Sequence, residues 1–489
     1  MKVRKIIVGI SVSLFLCAGA LHAQQGDKQD PRSVNPINPL PPSDAGATAN
    51  FGGKPVPAAR GVSTPYSPQS YDPAQAEPDT NTLSGAEVFG VGSLTHSRNV
   101  FDPLVSVTVL GQTMPVGTGT QTQLGPGAIL GGSLLFNRVW SRYQFIAIYN
   151  GGDNISDNAR DKGQFHDLTV EQEVEWERWR LRLRDEFLTA PGSSFGGAGM
   201  GGPGLIGQFS GVQGVALNTI AQQFIPADTI QTVQTRRDRN MALGEAEYSF
   251  SRRSAFTVGG SYGILNFKGT DYVSSHLINL QGGYDYQLDP VNSIALIGGY
   301  GKIDFVGSPI LTTDYMLSLA YGRRIFDRLS FQIAAGPQRI VVAGTSTGNF
   351  EHWIGSVNSA MTWDIRRSGF VFLYTRGVTG GSGVFYGAVT NTVTLLARHH
   401  FSRFWEGTVN GAYSLNTGLV PAGSTASSFT NWVIGGNVSR QLGRSAQLGF
   451  NYGIQKQDNP ALCPVANCGV AGYQQTIGMT VHWHLRPIE

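Results

Sequence analysis

From Phe165 to Ala190 the chain reads FHDLTVEQEVEWERWRLRLRDEFLTA, and polar and apolar residues alternate at period two for about twenty residues. That repeat belongs to strands with two unlike faces, since helical neighbours recur at three and four. One face carries Glu171, Glu173 and Glu175 and then, past Glu177–Arg178, Arg180, Arg182 and Arg184. The other carries Val170, Val174, Trp176, Trp179, Leu181 and Leu183. A hairpin with a two-residue turn sets Trp176 opposite Trp179. Glu175 then faces Arg180, Glu173 faces Arg182 and Glu171 faces Arg184, so each charge meets its opposite. A soluble sandwich can also expose one charged face. Here the apolar face is broad and aromatic at the turn end, which favours a lipid-facing hairpin with interfacial Trp176 and Trp179 and a charged face lining water.

The chain opens as an export signal. Lys2, Arg4 and Lys5 precede the apolar run Ile6–Leu16, which is too short for a stop-transfer helix, and cleavage fits after Ala20 or Ala23. Phe15 and Leu16 stand where a lipidated Cys17 would need small residues before it. The signal holds three of the 36 basic residues and no acid, so residues 24–489 balance at 33 against 33. Whole-chain charge therefore gives no support for a nucleic-acid partner. Residues 24–83, with PRSVNPINPLPPSDAG and STPYSPQSYDPAQAEPDT, are too poor in apolar residues to offset chain entropy, and an extended, disordered periplasmic tether is expected. Such a tether could reach a periplasmic or cell-wall partner. Residues 84–100 begin with an apolar piece, SGAEVFGVGSLTH, that fits either a plug at the barrel mouth or an added strand.

From Phe101 to Leu485 alternating strands are joined by short polar turns, near Asn137–Arg142, Glu177–Arg178, Ser251–Ser254, Leu288–Asn292, Phe326–Arg328, Arg366–Ser368, His400–Arg403 and Leu442–Ser445. Longer Gly/Ser/Thr/Asn-rich connections, near Gly151–Gly163, Thr345–Asn349 and Thr417–Ser427, fall between them. A soluble sandwich has no reason to sort its loops by parity. The strands are also inverted relative to a soluble barrel: in Trp432–Leu442 one face is Trp432, Ile434, Val438 and Leu442, the other Gly435, Asn437, Ser439 and Gln441. The expected fold is all-β, one large antiparallel transmembrane barrel of about 18 strands, with 16 as the alternative.

With these elements in place, residues 101–485 resemble bacterial outer-membrane β-barrels of the porin type. The resemblance rests on the Glu171–Arg184 ladder, the loop parity and the terminal strand QTIGMTVHWHL, which bears Trp483 at the interface. It implies outer-membrane lipid as the surroundings, the barrel-assembly machinery as a partner during insertion, and a channel. Family members usually end on an aromatic residue, whereas this chain runs on through a 486–489 extension, Arg486-Pro487-Ile488-Glu489. Many porins are homotrimers, and no stretch here specifies a trimer face.

The longest connection, Pro191 to about Arg239, leaves the arginine-bearing strand. It is the candidate constriction, with Gly196, Gly199, Gln208, Gln222 and Asp228 as its marked residues, against an outward loop or disorder. The charge ladder reads either as mutual neutralisation inside the lumen or as a transverse field that orients solutes. Cys463 and Cys468, in CPVANC, are placed to close a loop disulfide in an oxidising compartment. His482 and His484 share a lumen face and His399-His400 sit at a turn; solvated residues at the periplasmic mouth are expected, with no metal. No phosphate loop, Gly-x-Ser-x-Gly elbow, zinc helix or paired-cysteine pattern is present, so neither an enzyme nor a cofactor is expected. Passive diffusion of small hydrophilic solutes is the first reading. An export pore with a periplasmic partner, or an adhesive barrel acting through its external loops, is the alternative.

Overall fold

The computed structural model describes residues 99–485 apart from 116–121, 157–162, 191–229, 231–235, 252, 270–271, 326–327, 346–347, 421–427, 444 and 459–471. The export signal, the Pro-rich segment, residues 84–98 of the 84–100 segment, the extension past Leu485 and the Cys463–Cys468 pair lie outside these residues, and Val100 already opens the first strand. So do Gly196, Gly199, Gln208, Gln222 and Asp228.

The period-two segments form 18 antiparallel strands in one closed sheet. The first six are β1 (Val100–Pro115), β2 (Thr122–Val139), β3 (Tyr143–Ser156), β4 (Gly163–Glu175), β5 (Trp179–Ala190) and β6 (Arg237–Ser251). Next come β7 (Ser254–Phe267), β8 (Ser275–Asp289), β9 (Asn292–Phe305), β10 (Leu311–Ile325), β11 (Leu329–Thr345) and β12 (Gly348–Ile365). The last six are β13 (Ser368–Thr379), β14 (Ala388–His400), β15 (Trp405–Gly418), β16 (Ser428–Gln441), β17 (Ala446–Asp458) and β18 (Gly472–His484). Each strand pairs with its sequence neighbours, and β1 closes on β18 from Leu104↔His484 to Thr113↔Gln475. Closure leaves no sheet edge, so backbone N–H and C=O groups find partners without water.

The short turns fall where alternation breaks. At residues 176–178, Trp176 N donates to Trp179 O at 2.8 Å, which makes Glu177 and Arg178 the corners. At the next turn but one, Asp289 accepts from the N–H groups of Val291 and Asn292, both at 2.8 Å, as a short polar side chain does when it mimics a backbone turn. The parity of loop lengths is looser than expected. Residues 151–156 continue β3, so that connection is shorter than anticipated. The β11–β12 connection is only residues 346–347, where the Thr345 hydroxyl donates to the Gly348 carbonyl. The long connection also ends earlier, because Arg237 and Arg239 already belong to β6. Buried Arg237 and Arg239 alternate there with half-buried Asp238 and Asn240, which continues the strand toward the mouth.

Candidate functional site: the barrel lumen

Alternation sorts the side chains. On β18, Tyr473, Ile477, Met479, Val481 and Trp483 point outward and are exposed, while Gln474, Thr476, Thr480 and His482 point inward and are buried. On β17 the outward set is Phe450 and Tyr452, against Asn451, Gln455 and Gln457 inside. Exposed Val107, Leu130, Leu183, Val258, Leu280, Leu296, Leu317, Leu395, Val409 and Ile434 continue the apolar exterior around the barrel. Trp140, Trp176, Trp179, Trp363, Trp405 and Trp483 stand at the periplasmic ends of this exterior. Asp185 is one charged residue on this exterior: it faces outward on β5, with Asn240 Nδ2 donating to it at 3.3 Å. No helix among the described residues is long and apolar enough to cross a bilayer, and the strands are what cross. The chain folds as a closed 18-strand transmembrane β-barrel.

Three features occupy its lumen. The first is the charged wall on β4–β6. The register sets Glu171 opposite Arg184, Glu173 opposite Arg182 and Glu175 opposite Arg180. The side chains also reach diagonally and across to β6. Arg180 lies 3.3 Å from Glu175, 3.5 Å from Glu173 and 3.2 Å from Glu247. Arg182 lies 3.6 Å from Glu173, 3.9 Å from Glu171 and 3.5 Å from Glu245. Arg184 bridges Glu171 and Glu186, and Glu186 in turn meets Arg239 at 4.0 Å. Glu171, Arg182 and Glu245 are buried, not solvated as expected of lumen pairs. Their neighbours on three strands crowd them, and each arginine is enclosed by carboxylates. The signal for the β6 members was present in sequence as Arg237, Arg239, Glu245 and Glu247 at even spacing, but the long connection hid which strand they would join.

The second feature is an uncharged wall on β15–β18. Asn410, Asn431, Asn451, Gln455, Gln457, Gln474 and Thr476 line it, all buried. Asparagine amides here lie over glycines of the next strand. A Cβ at Gly435 would sit 2.8 Å from Asn410 Oδ1, at Gly449 3.4 Å from Asn437 Nδ2, and at Gly478 2.8 Å from Asn451 Oδ1. Neither amide atom of Asn451 has a hydrogen-bond partner, so the group is left with both a donor and an acceptor to offer. At the periplasmic end His482 is buried, and His484 Nδ1 lies 3.7 Å from Asp102. His400 lies 3.6 Å from Glu406 inside, while His399 faces outward and shares a 2.7 Å hydrogen bond with Ser368. That pair is not a triad, since the contact uses Nδ1, the nitrogen a carboxylate would need to orient the ring. Among the described residues no cluster of His, Cys, Asp or Glu could hold a metal ion.

The third feature was not anticipated. The β13–β14 connection, Gly380–Gly387, turns into the barrel at the external end through a 3₁₀ turn at Gly381–Gly383. Its backbone takes left-handed φ values at Gly381 (73°), Gly383 (77°) and Gly387 (85°), which glycine adopts without a Cβ penalty, and Ser382 takes one (52°) despite its Cβ. Gly383 O accepts from Val273 N at 2.8 Å, beside β8, and Gly387 O accepts from Leu419 N at 3.0 Å, beyond β15. Gly383 lies against the Phe267 ring of β7, Tyr386 packs edge-on to Phe305 of β9 and Phe385 edge-on to Phe429 of β16. Val384 and Phe385 are buried with Leu265, Phe267, Tyr272, Ala388 and Phe429. Since β7 and β16 lie half a circumference apart, this loop bridges the mouth as a chord. Ile230, the one described residue of 191–235, is buried in the same cluster. A sequence signal did exist: the apolar triplet Val384-Phe385-Tyr386 inside a glycine-rich external loop, where a solvated loop would be polar.

No protein-family model matches the chain, nor does any curated protein. Among solved structures, the outer-membrane protein OpdK of Pseudomonas aeruginosa aligns at 8% identity over 80% of this chain and 99% of its own, with a TM-score of 0.39. A BenF-like porin from Pseudomonas fluorescens Pf-5 aligns at 8% identity over 80% and 99%, with a TM-score of 0.41. OccAB3 of Acinetobacter baumannii aligns at 8% over 79% and 99%, with a TM-score of 0.38. At these scores the functional reading rests on this chain's own geometry.

Proposed function

We propose that the barrel is a channel for passive diffusion of small hydrophilic solutes across the outer membrane. The observation that carries this reading is the sorting of side chains: polar and charged groups line a closed barrel whose outside is apolar. A barrel that served only as a scaffold for external loops would gain more from an apolar, packed interior than from a wall of buried amides and charges. The Gly380–Gly387 bridge narrows the external mouth, which directs solutes along β17 to β6. There they pass between the uncharged wall and the compensated charges of β4–β6. Acidic and basic groups alternate on that charged wall, so it orients dipolar solutes more than it selects one sign of charge.

Single-channel recording of the purified barrel in planar bilayers tests the reading. The intact chain is expected to conduct without a trigger, and a variant with residues 381–386 replaced by two glycines is expected to conduct about twofold more or better. Silence from both forms would sink the channel reading and return attention to an adhesive barrel. Current only after the bridge is shortened would point instead to an exporter opened by a partner.

A further inference from the structure

Closure removes the edges of the barrel wall, but the β11–β12 hairpin keeps one where it rises past β13. β12 pairs with β13 from Ile365↔Ser368 up to Val357↔Arg376 and no further, while its pairing with β11 continues through Val342↔Phe350 to Thr345↔Gly348. The cause lies in the β13–β14 hairpin. It pairs up to Thr379↔Ala388 and then turns into the barrel, its Val378 and Val389 packed against the cluster of Ile340, Val342 and Leu419. The place beside residues 348–356 of β12 is thereby left open. A two-residue turn makes Ile365 and Ser368 a hydrogen-bonded pair, so odd-numbered residues of β12 aim their N–H and C=O groups at β13. Pro337, opposite Gly355 on β11, has no N–H to give, which fits a position not bonded to Gly355. Above Val357 the same groups of Asn349, Glu351, Trp353 and Gly355 point into the open place. All four residues are exposed, Trp353 at 65%. Gly355 has no side chain, so its exposure is that of its backbone, and nothing lies within 4 Å of where a Cβ would stand. At the foot of the gap Arg376 faces outward and donates to Asn391 Oδ1 at 3.1 Å, with no carboxylate paired to it among the described residues. Farther up, Glu351 is neutralised by Arg339, at 2.8 and 2.9 Å. Such a row of main-chain groups is matched by another extended polypeptide, whose donors and acceptors recur at the same spacing of about 6.8 Å per two residues. A second copy of this chain does not fit. Copies in one membrane are related by rotation about its normal, and strands tilted by about 35–45° then cross instead of lying side by side.

We propose that the open edge of β12, Asn349–Gly355, is a docking site at the external face for an extended segment of another polypeptide, which adds a strand beside β12. The added strand places an acidic residue at the foot of the gap, near Arg376, and an apolar residue beside Trp353. The claim is independent of what the bore passes. Decapeptides displayed on phage and selected on the purified full chain in detergent are the probe. Selected peptides are expected to alternate apolar and polar residues and to carry an acid at one end. They are expected to slow hydrogen exchange at the amides of Glu351, Trp353 and Gly355, which exchange fast in the chain alone. The amides of Phe350, His352 and Ile354, bonded to β11, exchange slowly in both states. The variant Glu351→Pro/Trp353→Pro removes two open-side N–H groups at positions where an edge strand accepts proline. It is expected to keep heat-modifiable gel mobility and to weaken peptide binding about tenfold or more. Arg376→Gln is expected to weaken the acid-ended peptides by about threefold. Open-side amides already protected in the chain alone would overturn the proposal. So would peptides that bind the proline variant as well as the parent, or a library that yields no peptide protecting these amides. If the proline variant does not fold, the exchange measurement on the parent decides by itself.

Discussion

Arg182 shows what single residues do in this lumen. It is buried between Glu171, Glu173 and Glu245, and its positive charge lets three carboxylates share a small volume. Removing one partner from a buried pair leaves the others uncompensated, at a typical cost of about 3–5 kcal/mol. Arg182→Met is therefore expected to lower the midpoint of urea unfolding in detergent strongly, and adding Glu171→Gln to recover part of the loss. An additive double variant would show that these groups act separately. The β4–β5 half of this network was legible in sequence because a two-residue turn fixes register, and a one-residue slip would have turned every charge to the lipid. The β6 half was not. Between Ala190 and Arg237 no short turn sets the register, and every even offset places the same faces inside. Only the folded sheet decides that Glu245 meets Arg182.

At the scale of an element, the β13–β14 bridge is held by ring packing and by two backbone hydrogen bonds to neighbouring connections. Phe385→Ala should leave a cavity beside Phe429 and Gly418, worth about 3–5 kcal/mol of local stability by the usual cost of deleting a buried ring. The expected readout is faster proteolysis within residues 380–387 and noisier open-channel current, with heat-modifiable mobility of the barrel retained. Gly383→Val is expected to displace the bridge more completely, since its Cβ would meet the Phe267 ring and its φ of 77° disfavours a branched side chain. A Gly383→Val current indistinguishable from that of the parent would refute the role given to the bridge. Length alone marks residues 191–239 as a candidate constriction, and its marked residues lie outside the described ones. The bridge is short, and what places it is a set of partners on β7, β9, β15 and β16 that no local pattern reveals.

The whole molecule was the most legible level. Strand number, turn positions and the identity of each face follow from period two and from punctuation by polar turns, because in a closed barrel every strand must solve the same problem of lipid on one side and water on the other. Closure depends on β18, whose N–H and C=O groups pair with β1 on one side and β17 on the other. Deleting residues 472–489 would expose two long edges in lipid, and the truncated chain is expected to be absent from the outer-membrane fraction and to lack heat-modifiable mobility. A conservative change inside the seam, such as Thr480→Ser opposite Thr108, is expected to leave assembly unchanged.

The Asn-over-Gly steps of β15–β18 have a consequence for how such a protein can change over generations. Inward and outward residues alternate, so a substitution at Gly435, Gly449 or Gly478 alters the bore while the neighbouring Ile434, Phe450 and Ile477 keep their contact with lipid. Lineages can therefore retune what the bore admits one methyl at a time, at positions that membrane insertion does not constrain.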